Sequence, residues 1–365
     1  MEYKQKYLKY KQKYIDLQKK NLLGGSYIIA SHGETTKKDL IVYPEVSILL
    51  DDYLGSGGSG SVQLGIIIDC SKDARLIGKK VAIKTFKGDK LFTIQQKKDY
   101  EKNKMLKFSL DENGVLKQTD YVASLYFDII TGPLEHRLVY EYGGKTLCNY
   151  VKESPLVYNN SNNKRIMYQL FSVLHALIAK DNMQNDIKCE NIVYSVNPQN
   201  EVDIKLIDFG ASMSITALND RTDNFGRRTN MNTPETIYNH LLYNTNPLTK
   251  QWALLQTPTL NKFNKWDYYP FISMIYFLYS KQQYSPDYIF SIIPSQKSKE
   301  DAKLEAFKIL INNDNIKMAI DTIPNINETQ KLQFLKLIDM MCKPLPDERA
   351  EPDIIIDFLH KWNPN

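Results

Sequence analysis

The sequence predicts an α+β fold, with a small antiparallel β-rich unit first and a mostly α-helical unit after it. Three observations carry this. From Val46 the chain alternates strand, turn and strand through VAIK at Val81–Lys84, and further apolar strands follow at Val122–Ile130 and Arg137–Tyr142. From Lys145 onward the pattern becomes helical, at Lys145–Lys152, Lys164–Lys180, Tyr268–Tyr279, Ser298–Asn312, Asn315–Ile323 and Glu328–Cys342. One β-hairpin interrupts the helices, Ile192–Val196 and Ile204–Ile207 around a turn-forming NPQN. A chain of 365 residues is long enough for two such units, each with its own core.

Composition is that of an ordinary globular chain, 42% hydrophobic and 24% charged. Residues 1–23 stand apart as a basic amphipathic helical leader. Tyr3, Tyr7, Tyr10, Tyr14 and Leu17 form a heptad-like stripe among seven lysines. The leader's net charge of +5 equals that of the whole chain, so the remainder is near neutral and no specific nucleic-acid surface is expected on it. Three readings of residues 1–20 stay open: a solvated helix, a short coiled coil, or a docking helix for an anionic surface. Residues 24–45 read as a linker, and 46–362 as one domain divided into 46–142 and 143–362.

Cys70, Cys148, Cys189 and Cys342 are far apart with no C-x-x-C, so neither a disulfide framework nor a zinc site is expected. A reducing compartment, the cytoplasm, follows from that usage. Cys189 reads as a small buried filler. The longest apolar stretch, Tyr268–Tyr279, falls short of the roughly 18–20 residues a membrane span needs and is expected in a core.

Two stretches carry candidate chemistry. In the first part, Gly55, Gly57 and Gly60 have G-x-G-x-x-G spacing between apolar runs, with Val62 two residues on. Glycine lets backbone N–H groups approach phosphates closely. A strand follows rather than a helix, and no G-K-[ST] is present, so neither a dinucleotide turn nor a Walker loop is expected. Lys84 sits in an apolar strand, where an ammonium needs anionic partners. Glu101 on the helical segment Phe92–Phe108 is the expected carboxylate, with Asp99 the alternative. The second stretch is QNDIKCENIVYSVNPQNEVDIKLIDFG, Gln184–Gly210. Its hairpin should draw Asp186, Lys188 and Asn191 together with Asp208. Two carboxylates and an amide are hard oxygen donors suited to Mg²⁺, and Lys188 can neutralise a phosphate.

D-x-K-x-x-N followed by D-F-G resembles the catalytic and metal-binding loops of eukaryotic-type protein kinases of the serine/threonine branch. The resemblance spans about residues 46–362 and implies a bilobal protein-kinase-like fold, with ATP in the cleft. It implies that Leu54, Gly55, Ser56, Gly57, Gly58, Ser59, Gly60, Ser61 and Val62 cover the nucleotide, together with Ala82. Lys84, braced by Glu101, would orient the α- and β-phosphates. LVYEYGGKTL resembles the hinge, with adenine at the backbone of Glu141 and Gly143 and Tyr140 behind it. Asp186 would orient the acceptor hydroxyl, Lys188 steady the γ-phosphate, and Asn191 and Asp208 hold Mg²⁺.

Thr233-Pro-Glu235 resembles the family's A-P-E, Arg349 the arginine that pairs with its glutamate, and Asp267 the aspartate that braces the catalytic loop. Thr229 stands one residue short of the place of the threonine that contacts the catalytic aspartate. About twenty extra residues follow Glu235. The usual His-Arg before the catalytic aspartate is here Gln184-Asn185, which removes the cation that clamps a phosphorylated activation loop. His175 reads as a core or half-buried histidine.

The implied activity is transfer of the γ-phosphate of Mg-ATP to serine or threonine of protein substrates. A nucleotide-binding pseudokinase and a small-molecule kinase remain as alternatives. The leader's K-Y-L-K-Y-K-x-K-Y pattern is similar to one found in many proteins of giant DNA viruses, which implies an infected host's cytoplasm, or a virion, as the setting.

Overall fold

A computed structural model of the protein describes residues 26–31, 34–57, 60–86, 121–132, 135–153, 160–216, 265, 267–280, 317, 320–321, 323, 326–343 and 346–362. The chain divides between Tyr142 and Gly143 into two compact units.

The first unit is a seven-stranded antiparallel sheet. Its strands are β1 (Ser26–Ser31), β2 (Glu34–Tyr43), β3 (Val46–Gly57), β4 (Gly60–Cys70), β5 (Lys80–Phe86), β6 (Leu125–Gly132) and β7 (Glu135–Glu141). They lie in the order β1-β2-β3-β4-β5-β7-β6. Successive side chains of a strand point to opposite faces, and the sequence uses this. Ile48, Ile67, Val81, Ile83, Phe127, Ile129 and Val139 are buried together in one cluster. The residues between them take the other face. Lys84 is directly opposite Val62 on β4 and Leu138 on β7, and Ala82 is opposite Leu64 and Tyr140. Val62, Ala82, Lys84 and Tyr140 therefore share a face.

β1 and β2 correct the linker expected over residues 24–45. They pair from Ser26↔Asp39 to Ser31↔Glu34, and β2 continues onto β3 from Leu40↔Leu49 to Tyr43↔Val46. Leu40-Ile-Val-Tyr43 supplies the strand-forming residues that pair with β3, and the polar half of β2 pairs with β1. The leader, Gly58, Ser59, Glu101 and the segment Phe92–Phe108 lie outside the described residues.

The second unit is mostly helical: α1 (Leu147–Glu153), α2 (Asn160–Ala179), α3 (Tyr268–Ser280), α4 (Glu328–Met341) and α5 (Pro352–Lys361). Short strands β8 (Lys145–Thr146), β10 (Ile192–Val196) and β11 (Val202–Leu206) form one small sheet, and β9 (Asn182–Met183) pairs with β12 (Met213–Ser214). The β10–β11 turn is closed by Asn197, whose Oδ1 accepts from the N–H groups of Gln199 (3.0 Å) and Glu201 (2.9 Å). Polar side chains of α2 cover the outer edge of β11. Asn162 Oδ1 accepts from Val202 N (3.2 Å), Gln169 Oε1 from Ile204 N (2.8 Å), and Arg165 pairs with Asp203 (2.6 Å). Such cover keeps an edge strand from pairing elsewhere.

α3 is buried all round except at Ser273, as an apolar helix of this length should be. Phe171 of α2 packs on Tyr268 and Phe271, and Phe334 of α4 joins Tyr279 to Trp362. A reciprocal Asn327–Gln330 capping box starts α4. His175 is half-buried, with Nε2 3.1 Å from Asp353 Oδ1. No helix among the described residues is long and apolar enough to cross a membrane.

The cysteines overturn one expectation. Cys148 and Cys189 are joined in a disulfide, and Cys189 is half-buried rather than a buried filler. Forty-one residues separate them, but pairing of β8 with β10 (Thr146↔Val193, Lys145↔Tyr194) returns the chain to the same place. Gly144 makes that approach possible. It has φ +108°, and a Cβ there would overlap the Tyr194 carbonyl oxygen. Cys70 and Cys342 are buried and take part in no disulfide among the described residues.

Candidate active site

In the first unit the glycine-rich stretch is the tip of the β3–β4 hairpin. Gly57 pairs with Gly60, Ser56 with Ser61 and Gly55 with Val62. Gly60 passes hard against β5, where a Cβ would overlap the Thr85 carbonyl oxygen, whereas one at Gly57 would meet open space. Leu54 is exposed beside the tip. Lys84 is only 6% exposed, and its Nζ lies 5.4 Å from the centre of the Phe86 ring. An ammonium this far out of water needs polar or anionic company. At the end of β7, Glu141 exchanges bonds with Ser124. Its N–H donates to the Ser124 carbonyl (2.8 Å), and its carboxylate accepts from the Ser124 N–H (3.3 Å).

In the second unit, the loop after β9 and the segment after β11 are laced together. Asp267, at the start of α3, is buried and accepts from the backbone N–H groups of Gln184 (2.7 Å) and Asn185 (3.0 Å). Gln184 is fully buried, and its Nε2 donates to the carbonyls of Ile207 (3.1 Å) and Asp208 (2.9 Å). Asn185 Nδ2 donates to the Ala211 carbonyl (3.2 Å), and Ser212 Oγ to that of Met183 (2.7 Å). Asp208 adopts the left-handed conformation (φ +57°) and accepts from Gly210 N–H (3.2 Å), ahead of the buried Phe209. Asp tolerates that region better than most residues.

Lys188 Nζ and Asn191 Nδ2 converge on one oxygen, Asp186 Oδ2, at 2.7 and 2.8 Å. Asn191 Nδ2 also donates to the Asp186 carbonyl (2.8 Å). Two consequences follow among the described residues. Asp186 Oδ1 takes no hydrogen bond, and Asn191 Oδ1, facing away from its committed amide nitrogen, takes none either. Ile207 N–H donates to the Asn191 carbonyl (2.9 Å), which ties the strand leading into Asp208 to Asn191. Asn191 Oδ1 and the Asp208 carboxylate are both hard oxygen donors, of the kind that suits a divalent cation such as Mg²⁺.

Burial raises the pKa of Asp267 from 3.8 to about 6. The Gln184 and Asn185 N–H groups pull the other way, and the nearby Asp186 charge adds to the rise. At neutral pH the carboxylate is ionised and can accept both N–H groups.

Arg349 is buried, donating to the carbonyls of Lys343 (2.9 Å) and Lys265 (3.0 Å) above the Tyr269 ring. Its expected partner Glu235 lies outside the described residues, with Thr229, Thr233 and the insert after Glu235. The sequence offered no signal for the Cys148–Cys189 bond. Nor did it mark Asp181, which accepts from Ser214 Oγ (2.5 Å) and Thr216 N–H (2.9 Å) and so holds the segment after Asp208.

No curated protein matches the chain. A family model described as protein kinase domain matches residues 49–254, more than half of the sequence, from β3 through the glycine hairpin, Lys84 and the Asp186–Asp208 hairpin, and the chain therefore belongs to the protein kinase family, with its two-lobed α+β fold.

Proposed function

We propose that the protein transfers the γ-phosphate of ATP to serine or threonine hydroxyls of protein substrates. The observation that carries this is the convergence of Lys188 and Asn191 on Asp186 Oδ2. It holds the carboxylate in one orientation and leaves Oδ1 to receive a hydroxyl. Aspartate is a weak base at neutral pH, so its work is to orient the hydroxyl toward phosphorus and to take the proton late. Lys188 lies next to that oxygen and steadies the transferring phosphoryl group.

On this reading Lys84 binds the α- and β-phosphates, with Glu101 as its brace. The backbone from Leu54 to Val62 covers the phosphates, and Ala82, Glu141 and Gly143 receive the adenine. Asn191 and Asp208 hold Mg²⁺, which when bound neutralises charge on the β- and γ-phosphate oxygens. Lys188 two positions after Asp186 supports the serine/threonine branch over the tyrosine branch. Asn185 carries no charge, which supports activity that does not require activation-loop phosphorylation. The leader's composition supports a contact with a coiled-coil partner or an anionic surface, and its resemblance supports a viral origin.

The test is transfer of labelled γ-phosphate to generic protein substrates by the full chain and by Asp186→Ala and Lys84→Ala. Transfer by the wild type, reduced at least about a hundredfold in both variants, is the expected result. Mg-ATP binding without any turnover would replace this reading with that of a pseudokinase. Transfer to amino-alcohols but not to proteins would replace it with that of a small-molecule kinase.

A further inference from the structure

We propose that Cys148 and Cys189 form a reversible thiol–disulfide site that tethers the catalytic loop to α1 and sets its rate of phosphoryl transfer. The inference rests on the kinase reading for its effect on rate, but not for the chemistry of the site.

Cys189 opens the single helical turn Cys189–Asn191, directly between Lys188 and Asn191, the two residues that fix Asp186 Oδ2. Cys148 is the second residue of α1. The bond therefore spans two elements and ends inside the loop that carries the chemistry. Closeness of the two sulfurs does not depend on the bond. β8 pairs with β10 on one side, and Tyr150 meets the Tyr194 ring edge-on at 5.2 Å on the other. Reduction should thus leave two adjacent thiols that can close again.

Both cysteines are half-buried, within reach of small oxidants and dithiols, whereas Cys70 and Cys342 are buried and take part in no disulfide among the described residues. The same pair and Glu190 lie close enough to suggest a metal site, but the structure joins the sulfurs to each other, so a redox role is the one it favours.

The chemistry balances with a peroxide as oxidant. One thiolate sulfur attacks a peroxide oxygen, the O–O bond breaks, and a sulfenic acid forms as water leaves. The second sulfur then attacks the sulfenic sulfur, the S–O bond breaks, and a second water leaves as the disulfide closes. A dithiol reverses this by exchange, giving up two electrons and two protons to the Cys148–Cys189 bond and itself becoming a disulfide. In the oxidised form Lys188 and Asn191 are both seated on Asp186, so the oxidised form is the faster enzyme. Reduction frees the Cys189–Asn191 turn and lowers the fraction of time they are aligned.

The full chain is treated with hydrogen peroxide or with dithiothreitol, and both forms are mapped by non-reducing peptide mass spectrometry. They are then compared in phosphoryl transfer and in hydrogen exchange over residues 186–191. A Cys148–Cys189 peptide that appears with peroxide and disappears with dithiothreitol is expected, with Cys70 and Cys342 unlinked. Turnover should be at least about threefold higher in the oxidised form, and exchange of the loop slower. Cys148→Ser should abolish both responses. Absence of the linked peptide would overturn the proposal, as would the same peroxide response in Cys148→Ser. If neither form transfers phosphate, the kinase reading fails. The exchange comparison then decides the tether: slower exchange on oxidation upholds it, and equal exchange overturns it.

Discussion

Asp267 sets stability and turnover against each other as pH changes. Its carboxyl is buried beneath the catalytic loop, and burial outweighs the two N–H donors to carry its pKa from 3.8 to about 6. That displacement corresponds to about 3 kcal/mol between the two protonation states. A carboxyl with a raised folded-state pKa gives its full stabilisation below pH 3.8 and loses it as pH rises through about 6. From this group alone, unfolding free energy should fall by about 2 kcal/mol between pH 4 and pH 7, the remainder of the change lying below pH 4.

Turnover should move the other way. Only the ionised carboxylate accepts from both Gln184 and Asn185, so protonation loosens the loop, and kcat should drop as pH falls below about 6. The assay is urea unfolding from pH 4 to pH 8 for the wild type and Asp267→Asn, with kcat measured over the same range. Asparagine cannot ionise, so subtracting its pH profile isolates residue 267 from every other titration. A wild-type minus variant difference that is flat, or that rises with pH, would refute the reasoning. It would mean that the two N–H donors, rather than burial, dominate the site.

Four substitutions test the lacing and the glycine hairpin. Gln184→Leu leaves the carbonyls of Ile207 and Asp208 without their donor, at about 1–3 kcal/mol each, and should lower kcat more than it raises KM. Gln184→His, which restores one N–H, should recover part of that loss in the same assay. Gly60→Ala drives a methyl into the Thr85 carbonyl and should destabilise the β4–β5 pair by about 1–3 kcal/mol and raise KM for ATP. Gly57→Ala, with open space around it, should leave thermal unfolding nearly unchanged.

What the sequence revealed depended on whether the cause was local. The second hairpin was legible because alternation and NPQN are neighbours in the chain. Only its second strand began early, at Val202, since Val196↔Val202 pairing closes over the Asn197 turn. The spacing D-x-K-x-x-N was legible for a related reason, because a short loop leaves Lys188 and Asn191 few places to reach other than Asp186. Asp267 needed the family resemblance, since a lone acid at a helix start says nothing of a loop 82 residues earlier. β1 and β2 were missed because Gly-Gly-Ser and a run of polar residues look like linker until β3 supplies a partner. The disulfide was missed for the same kind of reason. Only β8–β10 pairing brings Cys148 to Cys189, and spacing along the chain carries no trace of it.

The dipeptide Gln184-Asn185 shows how the loop can be held without the usual imidazole and guanidinium. Gln184 supplies two donor bonds to the strand end before Phe209, and Asn185 spends its amide nitrogen on the Ala211 carbonyl. Asn185 is buried, holds φ +60°, and keeps a side-chain oxygen with no partner among the described residues. Residue 185 thus offers a phosphate an acceptor oxygen and no charge of its own, and on the proposed reading it supplies no clamp for a phosphorylated segment. Activity should therefore stay within about twofold after complete phosphatase treatment. Alanine at each serine and threonine between Gly210 and Glu235 should leave it there too, except where the side chain itself is used, as Ser212 and Ser214 are. Abolition of activity by phosphatase, together with loss on a single Thr→Ala change in that segment, would show that some other cation performs the clamp.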